Sequence, residues 1–121
     1  MQYDEFVQGV EQRAGIAERE DAERTSVVVV EELCSRLTND EARDLLSQLP
    51  ARLKMPVDVM SAEPASADAF VDRVAGRLDV PVDEARTRVR AVFATVRRAV
   101  SKGQFEDVLS DLEPEYADLL S

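Results

Sequence analysis

The chain has 121 residues and a net charge of −10, from 25 acidic against 15 basic residues. Its 45% apolar content is enough for one compact domain with a core, and its apolar runs, such as Val27–Val30, are far too short to span a membrane. Histidine is absent and Cys34 is the single cysteine, so an internal disulfide is excluded and catalysis loses its usual general base.

The first predicted helix begins near Asp4, places apolar side chains at Phe6 and Val10, and ends at Gly15. The second runs from about Arg19 to Leu37. Its four consecutive valines would also suit a strand, but the apolar positions on either side continue a period near 3.6 residues. We therefore expect a helix, since burial overrides the weak helix propensity of valine. Its predicted inner face comprises Ala22, Ser26, Val29, Val30, Leu33 and Leu37.

The third predicted helix begins at a capping box. Thr38 can accept a hydrogen bond from the amide of Glu41, and the Glu41 carboxylate can reach back to the Thr38 amide. Pro50 then permits a short turn through Leu53. The predicted inward residues of this helix are Ala42, Leu45, Leu46 and Leu49.

The second half begins after a predicted linker at about 55–66, which holds two prolines and has no helical period. Three helices are predicted again, and the second of them starts at Val80-Pro81-Val82-Asp83. Ser101 and Gln104 repeat the spacing of a capping box before the third helix. The residues predicted to close the core at the carboxyl end are Tyr116, Leu119 and Leu120.

The two halves share one pattern. Phe6, Val10 and Arg13 recur as Phe70, Val74 and Arg77, and the capping boxes lie at equivalent places. Three such helices alone would bury too little apolar surface, so both halves are expected to share one core. The predicted fold is an all-α single helical bundle of two three-helix repeats with pseudo-two-fold symmetry, covering 1–121 (repeats at about 2–54 and 67–121). The predicted core is Phe6, Val10, Val29, Leu33, Leu46, Leu49, Phe70, Val74, Val92, Val96, Leu109 and Leu112.

An ordered set of short motifs runs through nearly the whole chain. They are Tyr3-Asp4-Glu5-Phe6, Asp21-Ala22-Glu23-Arg24, Glu41-Ala42-Arg43-Asp44-Leu45, Leu49-Pro50, Phe70-Val71-Asp72-Arg73-Val74-Ala75, Ala91-Val92-Phe93 and Leu112-Glu113-Pro114-Glu115-Tyr116. This order resembles the prokaryotic domain of unknown function 2267 (DUF2267) family, in its halophilic-archaeal type. The resemblance implies an all-helical duplicated domain and supplies no catalytic residue.

The charge composition favours a salt-rich cytoplasm. Lys54 and Lys102 are the only lysines in the sequence, while carboxylates are abundant. Carboxylates stay hydrated at low water activity, and molar salt shortens the Debye length to about 3 Å and screens their repulsion. An ordinary acidic protein is the alternative. The polar, acidic opening Tyr3-Asp4-Glu5 and the lone cysteine predict a soluble cytoplasmic protein without a secretory signal.

Catalytic, metal and cofactor sites are not predicted. Cys34 lacks a histidine to activate it, and its position beside Leu33 and Leu37 predicts a buried, inert thiol. A carboxylate group could hold a hard cation only if facing helices brought its members together, and a solvated acidic face is the simpler interpretation. The carboxylates concerned are Glu20, Asp21, Glu23, Glu31 and Glu32.

One segment departs from the acidic character of the chain. It contains six basic residues and no acidic one: Arg86, Arg88, Arg90, Arg97, Arg98 and Lys102. At about 100° per residue, Arg86, Arg90 and Arg97 fall on one narrow strip of a helix. This strip either recognises an acidic partner or nucleic acid, or it pairs with carboxylates of its own chain.

The sequence thus predicts a non-enzymatic protein-interaction or regulatory module without a cofactor. Its partner is expected to be another protein or a second copy of the chain, and no membrane is involved. A nucleic-acid-associated regulator using the basic strip is the alternative, which the net charge disfavours. The candidate partner-binding residues are Arg86, Arg90, Arg97, Arg98 and Lys102.

Overall fold

The computed structural model describes residues 1–53, 66–112 and 114–120. These residues form seven α-helices and two 3₁₀ turns, and none of them lies in a strand. The all-α class is therefore confirmed. Apart from Ser66, the predicted linker 55–66 lies outside the described residues. The elements are α1 (Tyr3–Ala14), α2 (Arg19–Cys34), α3 (Asn39–Gln48), a 3₁₀ turn (Ala51–Leu53), α4 (Ala67–Leu78), α5 (Val82–Ala99), α6 (Lys102–Asp111), a second 3₁₀ turn (Pro114–Tyr116) and α7 (Ala117–Leu120).

Two helix ends show where the sequence signals succeed and fail. α1 ends at Gly15 as predicted, with a left-handed backbone (φ 68°) that glycine adopts without strain. α2 ends at Cys34 rather than at the predicted Leu37. The Ser35 hydroxyl donates to the Glu32 carbonyl at 2.6 Å, which satisfies a group at the helix end. Leu37 is still buried, so the apolar period extends beyond the helix itself.

The valine run of α2 is helical, as predicted, and three of its four side chains are buried. The whole predicted inner face of α2 is buried too. A helix that buries valines over most of its circumference must have neighbours on several sides. In this structure α2 packs against α1, α4 and α5. That burial compensates for the weak helix propensity of valine.

α5 is the central helix of the bundle, in contact with α1, α2, α4 and α7. Packing between the halves is extensive, since α1 lies on α5 and α2 lies on α4. Gly9 lets α1 pack closely against α5, because a Cβ atom at position 9 would lie 3.3 Å from the side chain of Thr95 in α5. Buried apolar residues from both halves therefore form one continuous cluster. Within the described ranges, no helix is long and apolar enough to cross a membrane.

The predicted core is buried except for Leu109 and Leu112, which are only partly buried. Their counterparts in the sequence repeat, Leu46 and Leu49, are each 4% exposed. α3 and α6 pack chiefly on each other, and this packing leaves Leu109 and Leu112 of the second half only partly covered. Part of the apolar face of α6 is consequently left towards solvent.

The carboxyl end of the chain closes over the start of α4. Glu115 accepts a hydrogen bond from the Ala67 amide at 2.8 Å, and the Tyr116 hydroxyl donates to the Ser66 carbonyl at 3.4 Å. The Ser66 side chain also accepts from the Ala69 amide, so the first turn of α4 is capped from two directions. Tyr116 and Leu119 are buried, as predicted, while Leu120 is only partly buried against the core.

The two predicted capping boxes form only in part. Thr38 accepts from the Glu41 amide at 3.2 Å, and Ser101 accepts from the Gln104 amide at 3.1 Å. The return bonds are replaced by bonds between the helices, because α3 packs against α6. Gln104 donates to the Glu41 carboxylate at 3.0 Å, and the Ser101 amide donates to the Gln48 side chain at 2.7 Å.

This contact places carboxylates close together, and removing one charge is expected to stabilise it. Desolvation, with the nearby Asp107, Asp111 and Asp44, raises the pKa of Glu41. A raised carboxyl pKa means that stability falls as pH rises through it. Glu41→Gln keeps a partner for Gln104 and should raise the free energy of unfolding at neutral pH by up to about 1 kcal/mol. Thermal melts at several pH values measure the gain.

The gain from Glu41→Gln should vanish below the unfolded pKa of about 4.3, where wild-type Glu41 is protonated. Glu20→Gln is the matched control, since Glu20 is an exposed residue in the first turn of α2. It removes the same charge from a site outside the α3–α6 contact. Equal gains from both variants would show that only the net charge matters.

Candidate partner-binding surface

Arg88 belongs to the basic segment 86–102 but not to the predicted partner-binding residues, and the structure places it inside the fold. Its side chain is buried in the contact between α5 and α2, with the residue 5% exposed. The guanidinium donates to both carboxylate oxygens of Asp21 at 2.8 Å and to the Thr25 hydroxyl at 2.8 Å. This two-pronged pairing holds the pKa of the Asp21 carboxyl below its usual range. Arg88 joins the two halves and faces no external partner.

Arg86 and Arg90 lie at the surface but contact their own chain. Arg86 forms an ion pair with Asp68 of α4 at 3.1 Å. Arg90 donates from Nε to the carbonyl of Asp118 in α7 at 3.1 Å. Three of the six basic residues of segment 86–102 therefore connect α5 to neighbouring elements. Pairing within the chain is the alternative that the sequence left open.

The remaining three basic residues define what we call the basic corner: Arg97, Arg98 and Lys102. All three are exposed, and among the described residues no carboxylate lies within ion-pair distance of any of them. The Arg97 guanidinium lies over the Phe105 ring, 5.6 Å from its centroid. This stacking orients Arg97 while leaving its charge towards solvent.

Beside the basic corner lies a surface groove of about 460 Å³ between the end of α5 and α6. Its apolar floor is formed by Val100, Phe105 and Leu109, and its charged rim by Arg97, Lys102 and Glu106. We call this feature the corner groove. The basic rim was predicted from the sequence, whereas Leu109 was predicted to lie in the core; Phe105 is buried apart from an edge that contributes to the groove. The helical period places them on an inward face, and it does not reveal that this part of the face is uncovered.

A family model described as "Uncharacterized conserved protein (DUF2267)" matches residues 3–119. The chain belongs to the DUF2267 family. The match covers both halves and confirms the family seen in the sequence motifs, while its halophilic-archaeal type stays a prediction. A comparison with curated proteins finds no match.

Four of the five carboxylates considered for cation binding serve as ion-pair partners, and Glu20 is the exception among the described residues. Asp21 pairs with Arg88, while Glu31 and Glu32 both pair with Arg77 of α4, at 2.9 and 3.3 Å. Among the residues that the structure describes, no three cysteine or carboxylate side chains are grouped so as to hold a metal ion. These acids connect α2 to α4 and α5. The sequence pattern did not predict these pairs, because their partners are far away along the chain.

Cys34 is buried at the end of α2, as predicted. Burial, with a smaller effect of Glu31, raises the pKa of its thiol to about 12. The nucleophile and metal ligand is the thiolate, and almost none of it exists at neutral pH with this pKa. The arrangement therefore gives Cys34 no activation as a nucleophile.

Proposed function

We propose that this protein is a non-enzymatic interaction module that binds a protein partner through the basic corner. The observation that carries the proposal is the segregation of Arg97, Arg98 and Lys102, which are exposed without a carboxylate partner among the described residues. The chain as a whole has a net charge of −10. A local charge of opposite sign adds little to folding, but it steers the encounter with a complementary surface and fixes its register.

The position of Lys102 supports a role in binding rather than in stability. Arg97 and Arg98 lie in the last turn of α5, where positive charge suits the helix dipole. Lys102 is the first residue of α6, where positive charge opposes the dipole at a cost of about 0.3–1 kcal/mol. Helix stability alone therefore does not account for all three charges.

Three observations support the non-enzymatic part of the proposal. The sequence has no histidine, so a general base with a pKa near neutrality is missing. The single thiol is buried with its pKa raised to about 12. The paired carboxylates of α2 are also committed to arginines of α4 and α5.

Charge reversal at the basic corner tests this function. The double variant Arg97→Glu/Lys102→Glu should fold normally and lose a protein that co-purifies with the wild type, or lose self-association in sedimentation velocity. Arg13→Glu/Arg43→Glu is the matched control, because it makes the same change in charge at exposed positions on α1 and α3. Among the described residues, the hydrogen bond of Arg13 and the ion pair of Arg43 are both made within their own helices.

Retention of every partner by the corner variant would overturn the proposal. Duplex DNA binding by the wild type at moderate salt, lost in the corner variant, would replace it with the nucleic-acid alternative. The acidic remainder of the surface opposes that outcome.

We further propose that the fold is a duplication with pseudo-two-fold symmetry. Equivalent positions Gly15 and Asp79 both end a first helix with a left-handed backbone (φ 68° and 57°). Equivalent positions Thr38 and Ser101 both cap a third helix through a hydroxyl. The backbones of α1–α3 and α4–α6 are expected to superpose, and different helix crossings in the two halves would contradict the proposal.

We also propose that this protein functions in a salt-rich cytoplasm. The ground is a net charge of −10 with only two lysines in the sequence. We expect the melting temperature to rise between dilute buffer and molar potassium chloride. Salt screens repulsion among the carboxylates, including those at the α3–α6 contact. A melting temperature that stays constant or falls over this range would contradict a halophilic origin.

A further inference from the structure

The floor of the corner groove is apolar and held in place by the core. Val100 and Phe105 are mostly buried, so their exposed edges are fixed by packing beneath them. Leu109 is partly buried and lies beside them, although its counterpart Leu46 is buried in the first half. The groove is thus an opening in the apolar face of α6 at Leu109, whereas the counterpart Leu46 in α3 is buried.

The rim of the groove is set for a carboxylate. Arg97 is held over the Phe105 ring, which reduces the freedom that its guanidinium must lose on binding. A guanidinium fork accepts a carboxylate with two parallel hydrogen bonds, and Lys102 adds a second positive charge. Against these two stands one carboxylate, Glu106, so the groove lining has a net positive charge.

We infer that the corner groove binds an acidic peptide segment of a partner protein that carries one bulky apolar side chain. This inference rests on the proposed function and specifies what the surface recognises. The apolar side chain lies on Val100, Phe105 and Leu109, while flanking carboxylates pair with Arg97 and Lys102. The volume of about 460 Å³ is within the usual range for such a pocket. A nucleic-acid backbone carries no apolar side chain that could lie on the floor of Val100, Phe105 and Leu109.

The test is selection from a random peptide library displayed on phage, with the intact protein as bait. We expect the recovered peptides to be enriched in Asp and Glu around a leucine or an aromatic residue. Synthetic versions of these peptides should bind the variant Arg97→Glu/Lys102→Glu at least about tenfold more weakly than the wild type. They should also bind more weakly as potassium chloride is added.

A second variant separates the floor from the rim. Leu109→Gln places a polar group on the partly buried floor and should weaken the same peptides by about tenfold. It leaves the charge of the rim unchanged. Circular dichroism confirms that each variant is folded, and the control Arg13→Glu/Arg43→Glu should bind like the wild type.

The outcomes distinguish this inference from the proposed function. Peptides that lose binding in the corner variant but lack the acidic and apolar pattern would overturn the inference and leave the proposed function standing. The inference would also be overturned if the peptides bind all variants equally or if no peptide is recovered. In either case the co-purification experiment alone would decide the proposed function. Self-association abolished by the corner variant would assign the groove to a second copy. Displacement of the peptides by a single-stranded oligonucleotide at equal concentration would assign it to nucleic acid.

Discussion

Replacing Phe70 with alanine is expected to lower the free energy of unfolding by about 3–5 kcal/mol. Phe70 is fully buried, and its ring contacts those of Phe93 and Tyr116, each with a centroid distance of 5.7 Å. These three residues belong to α4, α5 and the carboxyl-terminal turn. The substitution leaves a cavity where the three elements meet. Denaturant titration followed by circular dichroism measures the loss.

Phe70→Leu is the control for this substitution, because it keeps most of the buried volume and removes only the ring contacts. It should cost less than about 1.5 kcal/mol. The intrinsic fluorescence of Tyr116 should also change in the alanine variant, because its edge-on contact with Phe70 is lost. A loss below about 1 kcal/mol for Phe70→Ala would contradict the role of Phe70 as a core anchor.

Replacing Asp21 with alanine is expected to cost about 2–3 kcal/mol, because it leaves the buried charge of Arg88 poorly compensated. The 5% exposed Arg88 would keep the Thr25 hydroxyl and the more distant Glu84, at 3.5 Å. These remaining partners keep the cost below the largest values seen for buried pairs. By contrast, Arg88→Met should cost less, since the side chain of Asp21 is 42% exposed and water can solvate it.

Glu20→Ala is the matched control for Asp21→Ala. It removes the neighbouring carboxylate in the same first turn of α2, and Glu20 is exposed. The pH dependence supplies a second check. Because Arg88 lowers the pKa of Asp21, the pair stabilises the fold above the unfolded pKa of about 3.9, and this contribution is lost as pH falls through the folded value. The free energies of unfolding of the wild type and of Asp21→Ala should therefore converge at low pH. A difference between them that persists there would contradict the ion-pair account.

Periodic apolar patterning was sufficient to predict the class of fold and most of the core. The spacing around Val27–Val30 predicted a helix against the local preference of valine, and Gly15 predicted a helix end. These features depend on residues close together in the chain. The prediction that Leu109 is fully buried is wrong. The helical period shows which face of a helix points inward, but it does not show whether another element covers that face.

The contacts of the basic segment 86–102 could not be predicted from the sequence. Arg86, Arg88 and Arg90 look alike in sequence, yet each meets a different group in the fold. Arg88 is buried against Asp21, Arg86 pairs with Asp68, and Arg90 reaches the last helix. Their partners are separated from them by many residues, so no local pattern reports the pairing. The predicted return bonds of the two capping boxes do not form for the same reason. Glu41 and Ser101 instead form hydrogen bonds with the helix of the other half.

The packing of α1 on α5 has a consequence for folding during synthesis. The ribosome completes the first three helices long before it makes α5, so α1 and α2 emerge without the central helix that buries much of their apolar surface. Contacts between elements so far apart slow folding, because the intervening chain must close a large loop first. We therefore expect part of the apolar face of α1 to stay uncovered in the nascent amino-terminal half until α5 is made.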